Sequence, residues 1–298
     1  MGSYSKLAAL LLFARSLAQV ATVLAVRGDV LVYDNGRYVK LHAGNKLFEH
    51  QKIKVGGNGY VALIIHKGGA KEIKNQGTYL VQDLISSTRT SLYSAKYTGY
   101  VLNQAIASGA SYYSGKTLGA VTRSTMAPEI DVPSNCVFYP DRILLQWHRV
   151  PGSQGYIVQI YNHDGSILYK NEVGPETLSI TVNLDTIVKP NLCYYWSVST
   201  VRYPTVKSNN KCFKTMSNEQ AEKIKMEENN LIRCLNLNTA IDNVILAAFY
   251  EKHKLFSYAI ECYKRANTIE PNTDGYEYLI KTIRNRALKE IKSANNIE

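Results

Sequence analysis

Catalysis needs residues that move protons, carry electrons or bind metals, and in this 298-residue sequence such residues are scattered. The six histidines, His42, His50, His66, His148, His163 and His253, form no H-E-x-x-H pair of the kind that holds a catalytic zinc. Cys136, Cys193, Cys212, Cys234 and Cys262 show neither C-x-x-C nor a Cys/His zinc spacing, and their odd number leaves at least one outside any internal bridge. Gly56-Gly57-Asn58-Gly59 lacks the G-x-G-x-x-G spacing and the following helix that a nucleotide needs, so it reads as a hairpin turn. Neighbouring carboxylates such as Glu227 and Glu228 fall on a solvated helical face, and no G-x-S-x-G elbow occurs. The expectation is a protein that is not an enzyme, with no catalytic residue, no metal and no cofactor.

What remains is the chemistry of binding. Lys plus Arg number 35 against 24 Asp plus Glu, a formal charge of +11 that invites an anionic partner. The excess is local: residues 19–110 hold 11 basic and 5 acidic groups, while residues 217–298 hold 12 of each. Lys52 and Lys54 alternate onto one face of a strand, and Lys67, Lys71 and Lys74 flank the hairpin after the next one. These five form a candidate anion-facing patch for peptidoglycan, lipopolysaccharide or an acidic protein. The alternative is a solvated set of lysines that guards strand edges. No aromatic residues interleave with them, which disfavours nucleic acid as the partner.

The elements that must carry these residues begin after an export signal. Lys6 precedes the apolar run Leu7 to Ala14, and Ser16-Leu17-Ala18 offers small residues at the cleavage positions, so residues 1–18 read as a signal peptide. The alternative, an uncleaved anchor over Leu7 to Val26, is disfavoured by Arg15 in mid-span. The expected location is therefore the periplasm or the cell envelope. A composition of 45% hydrophobic and 20% charged residues excludes a disordered, collagen-like or multi-spanning membrane chain.

Residues 19–87 read as a small all-β domain, with strands at 22–26, 30–33, 37–41, 52–55, 60–65, 70–74 and 79–84. Asn35-Gly36 and Gly68-Gly69 supply its hairpin turns. Its motifs run Val23 to Val30 (Val-x-x-Val-Arg-Gly-Asp-Val), Leu41-x-x-Gly44-x-x-Leu47 and Ile53-x-Val55-Gly56-x-x-Gly59-Tyr60-Val61-Ala62-Leu63. In these it resembles the FecR domain. Regulators of that family place a sigma-factor-binding tail and a transmembrane helix before the domain, and this chain is read without them. The resemblance thus implies the fold and an envelope address more than the signalling role.

Residues 88–129 read as a helix over 88–107, with Tyr93, Tyr97, Tyr100, Val101 and Ala105 near one face, then a Gly/Ser/Thr-rich linker. Residues 130–215 carry about seven short strands at the spacing of a sandwich. Trp147, Val150-Pro151-Gly152, Tyr156-Ile157-Val158 and Tyr194-Tyr195-Trp196-x-Val198 follow one another in an order that resembles the immunoglobulin-like fibronectin type III domain. That resemblance makes Tyr194 a corner tyrosine whose hydroxyl bonds back to the backbone. Cys193 and Cys212 fall at the same pole of such a sandwich, where a disulfide is allowed although the hairpin register does not set them directly opposite.

Residues 216–298 read as helices. Ser217 and Gln220 make a capping box, and helices over 239–252 and 256–269 precede Pro271. Leu246, Ala247, Tyr250, Ala259, Tyr263, Ala266 and Pro271 match the seven diagnostic positions of a tetratricopeptide repeat over 240–273, which this segment resembles. One repeat is short of a solenoid, so its open face must pack on this chain or on a partner. The expected whole is a multidomain, mainly β protein with an α-helical C-terminus: a FecR-like domain, a fibronectin-III-like sandwich and a TPR-like helical hairpin with flanking helices. Such modules bind and space other molecules, which makes a periplasmic adaptor or scaffold the expected function, with an envelope protein partner for the helical unit. A FecR-type signalling regulator and a peptidoglycan or glycan binder are the alternatives.

Overall fold

The computed structural model describes residues 19–88, 94–103, 127–130, 136–276, 278–280 and 282–283. The signal-peptide expectation for residues 1–18, most of the linker, and Tyr93 and Ala105 lie outside these residues. The chain is mainly β with a helical C-terminal part. It divides into two compact units. One draws on Met1–Lys116, Asn230–Phe249 and Cys262–Ile280, and the other on Thr117–Asn229, Tyr250–Glu261 and Lys281–Glu298.

In the first unit, β1 (Gln19–Arg27), β4 (Lys46–Phe48), β6 (Tyr60–Ile65) and β7 (Ala70–Ile73) form a sheet of order β4-β1-β6-β7. β2 (Val30–Asp34), β3 (Arg37–Lys40), β5 (Lys52–Val55) and β8 (Gly77–Leu80) form a second sheet of order β3-β2-β5-β8. The core holds Val23, Val26, Val30, Val32, Leu47, Ile53, Val55, Val61, Leu63 and Ile65. Asn35 and Gly36 both take positive φ, 47° and 83°, which gives the tight β2–β3 turn the twist its strands require.

β1 and β6 are apolar without alternation, and every residue of β6 is buried. A strand of that kind needs cover on both faces. Helical residues of the same unit supply it on the face opposite the core. The Tyr60 and Tyr276 hydroxyls lie 2.6 Å apart, Ile241 N–H donates to Glu72 Oε1 at 2.7 Å, and Val26 exchanges backbone hydrogen bonds with Asp274. The helix α2 (residues 94–103) buries Tyr97 and Val101, one turn apart, and the Tyr97 ring meets Phe249 edge-on at 5.3 Å. Much of the segment read from sequence as a separate helical module thus belongs to the β-domain's own unit.

The expected strand at 79–84 ends instead at Leu80, and Val81–Ser86 forms the short helix α1. Val81 and Leu84 are its buried residues, a spacing of three that suits a helical turn and not a strand.

The second unit contains β9 (Cys136–Phe138), β10 (Arg142–Gln146), β11 (Tyr156–Tyr161), β12 (Ile167–Val173), β13 (Ser179–Asn183), β14 (Cys193–Thr200) and β15 (Lys211–Thr215). They pair as β12-β11-β14-β15-β9 and β10-β13, with β9 parallel to β15. Ile143, Leu145, Val158, Ile160, Val182, Trp196, Val198 and Phe213 are buried as alternating residues of these strands. Tyr194 OH accepts the Lys189 N–H at 2.7 Å, which is the tyrosine-corner contact of immunoglobulin-like sandwiches. The helices that follow are α3 (Asn218–Ile232), α4 (Ala240–Lys252) and α5 (Phe256–Ile269). Ser217 Oγ accepts the Gln220 N–H at 3.2 Å and so caps α3.

Candidate functional site

The site begins with strand parity. Side chains alternate, so Val30, Val32, Ile53 and Val55 point into the core while Leu31, Tyr33, Lys52 and Lys54 point outward. The Asn35-Gly36 turn sets Tyr33 directly opposite Tyr38 and Leu31 opposite Lys40. β5 then continues both rows, Leu31 to Lys54 and Tyr33 to Lys52, and β8 closes them with Thr78 and Leu80. The outer face therefore reads Lys40-Leu31-Lys54-Thr78 in one row and Tyr38-Tyr33-Lys52-Leu80 in the next.

None of these eight positions is a carboxylate. Tyr33 and Tyr38 are 41% and 46% exposed, too much for core residues, and their rings meet edge-on at 5.2 Å. Lys40, Lys52 and Lys54 are exposed, and the Lys54 ammonium lies 5.7 Å from the centre of the Tyr38 ring. Lys52 and Lys54 are about 7 Å apart along the strand, and Lys40 stands two strands from Lys54, about 10 Å away.

The other three lysines of the expected patch do not share this face. Lys67 is exposed in the turn after β6, and Lys71 is half-buried on the edge strand β7. Lys74 is neutralised within the fold: its ammonium lies 2.6 Å from Glu270 and 3.3 Å from Glu72, and Glu270 also pairs with Arg27 at 3.0 Å. Burial alone would lower the Lys74 pKa, but the two carboxylates outweigh it and hold the ammonium above the usual lysine value. The lysine patch is thus corrected to Lys52 and Lys54 joined by Lys40. Tyr33 and Tyr38 interleave with these lysines, against the expectation that no aromatic residues do, because the sheet register brings them onto the same face. The signal was present, since residues placed symmetrically about a two-residue hairpin must face each other.

The remaining candidates are structural in position. Leu246, Ala247, Tyr250, Ala259, Tyr263 and Ala266 are all buried, while Pro271 is exposed and its carbonyl accepts from Arg27 at 3.1 Å. α4 is buried nearly all round, so these positions are covered by the chain itself. Tyr250 OH donates to Glu228 Oε1 at 2.6 Å and Tyr139 OH to Glu228 Oε2 at 2.7 Å. Desolvation pushes the Tyr139 phenol well above its ordinary range and Tyr258 up to about 12, so both are neutral donors and not bases. A disulfide joins Cys193 and Cys212, whose Cα atoms are 6.3 Å apart. Cys212 pairs with Tyr195 and Cys193 with Lys214, so the bridge crosses the β14–β15 hairpin diagonally. Among the described residues no three His, Cys, Asp or Glu side chains gather as metal ligands would, and no helix is long and apolar enough to cross a membrane.

No protein-family model and no curated protein matches the chain. Parts of it are similar to solved fibronectin type III structures. An Fn3-like protein from Clostridium thermocellum is 20% identical over 32% of this chain and 97% of that one, with a TM-score of 0.24. The fn3 domain of human collagen alpha-1(XX) chain is 16% identical over 33% and 91%, with a TM-score of 0.24. The FN1–FN3 domains of chicken CNTN1 are 12% identical over 68% and 56%, with a TM-score of 0.25.

Proposed function

We propose that the protein is a non-catalytic, exported adaptor or scaffold of the bacterial cell envelope, whose FecR-like domain contacts an anionic polymer. The observation that carries this reading is the outer face of the β3-β2-β5-β8 sheet, an array of lysines and tyrosines without a carboxylate. Lysines that guard an edge sit on edge strands, as Lys40 does on β3, but edge protection does not account for Lys52 and Lys54, which sit on β5 between β2 and β8. The Cys193–Cys212 disulfide supports an oxidising compartment outside the cytoplasm.

The TPR-like reading of 240–273 enters the proposal as a packing device. With six of its seven diagnostic positions buried, an envelope protein partner would meet the outward residues of α3: Glu222, Lys223, Met226 and Asn229. Fractionation, N-terminal sequencing and thiol labelling of the full chain test the proposal. The expected result is an envelope protein that starts at Gln19, with Cys193 and Cys212 protected from alkylation until reduction. A cytoplasmic chain that retains Met1 and labels at both cysteines would overturn it. Crosslinking with Met226→Glu beside the wild type identifies the partner's contact: loss of the crosslinked species supports α3, and an unchanged yield removes α3 from the account.

A further inference from the structure

The face described above carries more than charge, and we infer that its ligand is an acidic glycan, held by Tyr33 and Tyr38 together with Lys40, Lys52 and Lys54. The inference rests on the proposed anionic contact and names its chemistry. A ligand recognised by charge alone would need only the lysines. Here the two most exposed hydrophobic side chains of the face are phenols, set side by side in the same cross-strand row as Lys52 and one row from Lys40 and Lys54. β2 lies between β3 and β5, so Tyr33 is held by pairing on both sides. Leu31 and Leu80 are half-buried within the rows and widen the apolar ground beneath a ligand.

Such a surface suits a polymer that alternates apolar and charged patches. A sugar ring presents C–H groups that pack on an aromatic face, hydroxyls that meet the phenol rim, and a carboxylate or phosphate that meets an ammonium. Three like charges on one rigid sheet also repel one another, and an anion seated among them relieves that repulsion. A single-stranded nucleic acid is the competing polyanion, since aromatics and cations on a sheet can stack and neutralise it. Two observations favour the glycan. All three cations are lysines, point charges without the planar fork that makes arginine the preferred reader of phosphates and bases. The disulfide of the same chain supports a compartment outside the cytoplasm, where acidic glycans are abundant and nucleic acid is scarce.

The experiment is a fluorescence-polarisation or calorimetric titration of the full chain with four probes: an alginate oligosaccharide, a neutral glucan, poly-glutamate and an oligo-deoxythymidine. Tyr33→Leu/Tyr38→Leu keeps an apolar side chain at both positions and removes the rings, and a circular-dichroism melt of the variant checks that the fold is kept. Lys40→Gln/Lys52→Gln/Lys54→Gln removes the charge. The glycan account expects alginate to bind most tightly and the tyrosine variant to weaken it about tenfold at every salt concentration. It also expects the lysine variant to bind more weakly, with a flattened salt dependence. If poly-glutamate binds as well as alginate and the tyrosine variant changes nothing, the glycan inference is wrong while the anionic contact stands. If oligo-deoxythymidine binds tightest and depends on the tyrosines, the ligand is nucleic acid and the inference is overturned. If no polyanion binds, both fall.

Discussion

Replacing Gly275 by alanine provides a direct reading of how the helical residues lock onto the β-domain. Gly275 has φ of 101°, and a Cβ there would lie 3.1 Å from the Ala25 Cα and closer still to the Leu24 carbonyl oxygen, both backbone atoms of β1. Backbone cannot swing aside as a side chain can. Relief therefore requires the Val26–Asp274 bridge to part, with loss of its two hydrogen bonds of 3.0 and 3.1 Å. Left-handed backbone costs a non-glycine residue about 1–2 kcal/mol, and each lost bond adds about 1 kcal/mol, so the total is about 3–4 kcal/mol. Gly36 is the internal control, because its φ of 83° carries the same backbone strain but its Cβ would meet nothing within 4 Å. Gly36→Ala should cost only that strain, about 1–2 kcal/mol. The difference of about 2 kcal/mol corresponds to roughly thirtyfold in the opening equilibrium of β1. Hydrogen exchange read by mass spectrometry on β1 peptides measures it. Equal protection of β1 in the two variants would refute the reasoning, because the space around the glycine would then be irrelevant.

Other expectations follow from single contacts. Tyr194→Phe removes the acceptor of the Lys189 N–H and should lower stability by about 1–2 kcal/mol, read from the urea midpoint of tryptophan fluorescence. Both tryptophans, Trp147 and Trp196, lie in the sandwich unit, so this signal reports that unit; an unchanged midpoint would contradict the corner role. Cys193→Ser/Cys212→Ser opens a loop of sequence separation 19 and should cost about 3 kcal/mol by the same assay, with no loss arguing against a formed bridge. His66 should titrate below the ordinary value of 6.5: partial desolvation lowers it, the Gln19 carbonyl restores part of the shift, and Lys46 lowers it further. The folded state thus favours the neutral ring. Its contribution to stability is complete above about pH 6.5 and is lost as pH falls through the folded value. An imidazole titration by NMR at or above 6.5 would contradict this.

Local chemistry was legible in the sequence where it is local. The Asn35-Gly36 turn, the Ser217 cap, the Tyr194 corner and helices at 240–252 and 256–269 all depend on residues a few positions apart. Register between distant strands is another matter. Nothing in the sequence places Lys54 beside Leu31 or Lys52 beside Tyr33, because a slip of one residue would have turned every side chain to the other face. The lysines were visible as a cluster in sequence, yet Lys74 is occupied by Glu270, nearly two hundred residues away. The apolar run of β6 requires cover on both faces. What supplies it, including Tyr276 and Ile241, could be learned only from the fold.

On the proposed function, the anionic contact belongs to one sheet face and not to the basic domain at large. Binding of the full chain to an immobilised acidic polysaccharide, measured across salt concentration, tests it by comparing Lys52→Glu/Lys54→Glu with Lys67→Glu/Lys71→Glu. Both pairs change the net charge by the same amount. The face account expects the first pair to abolish binding and to flatten its dependence on salt, with the second retaining most of the affinity. Equal loss from the two pairs would show that only total charge matters, and the face would no longer be the site.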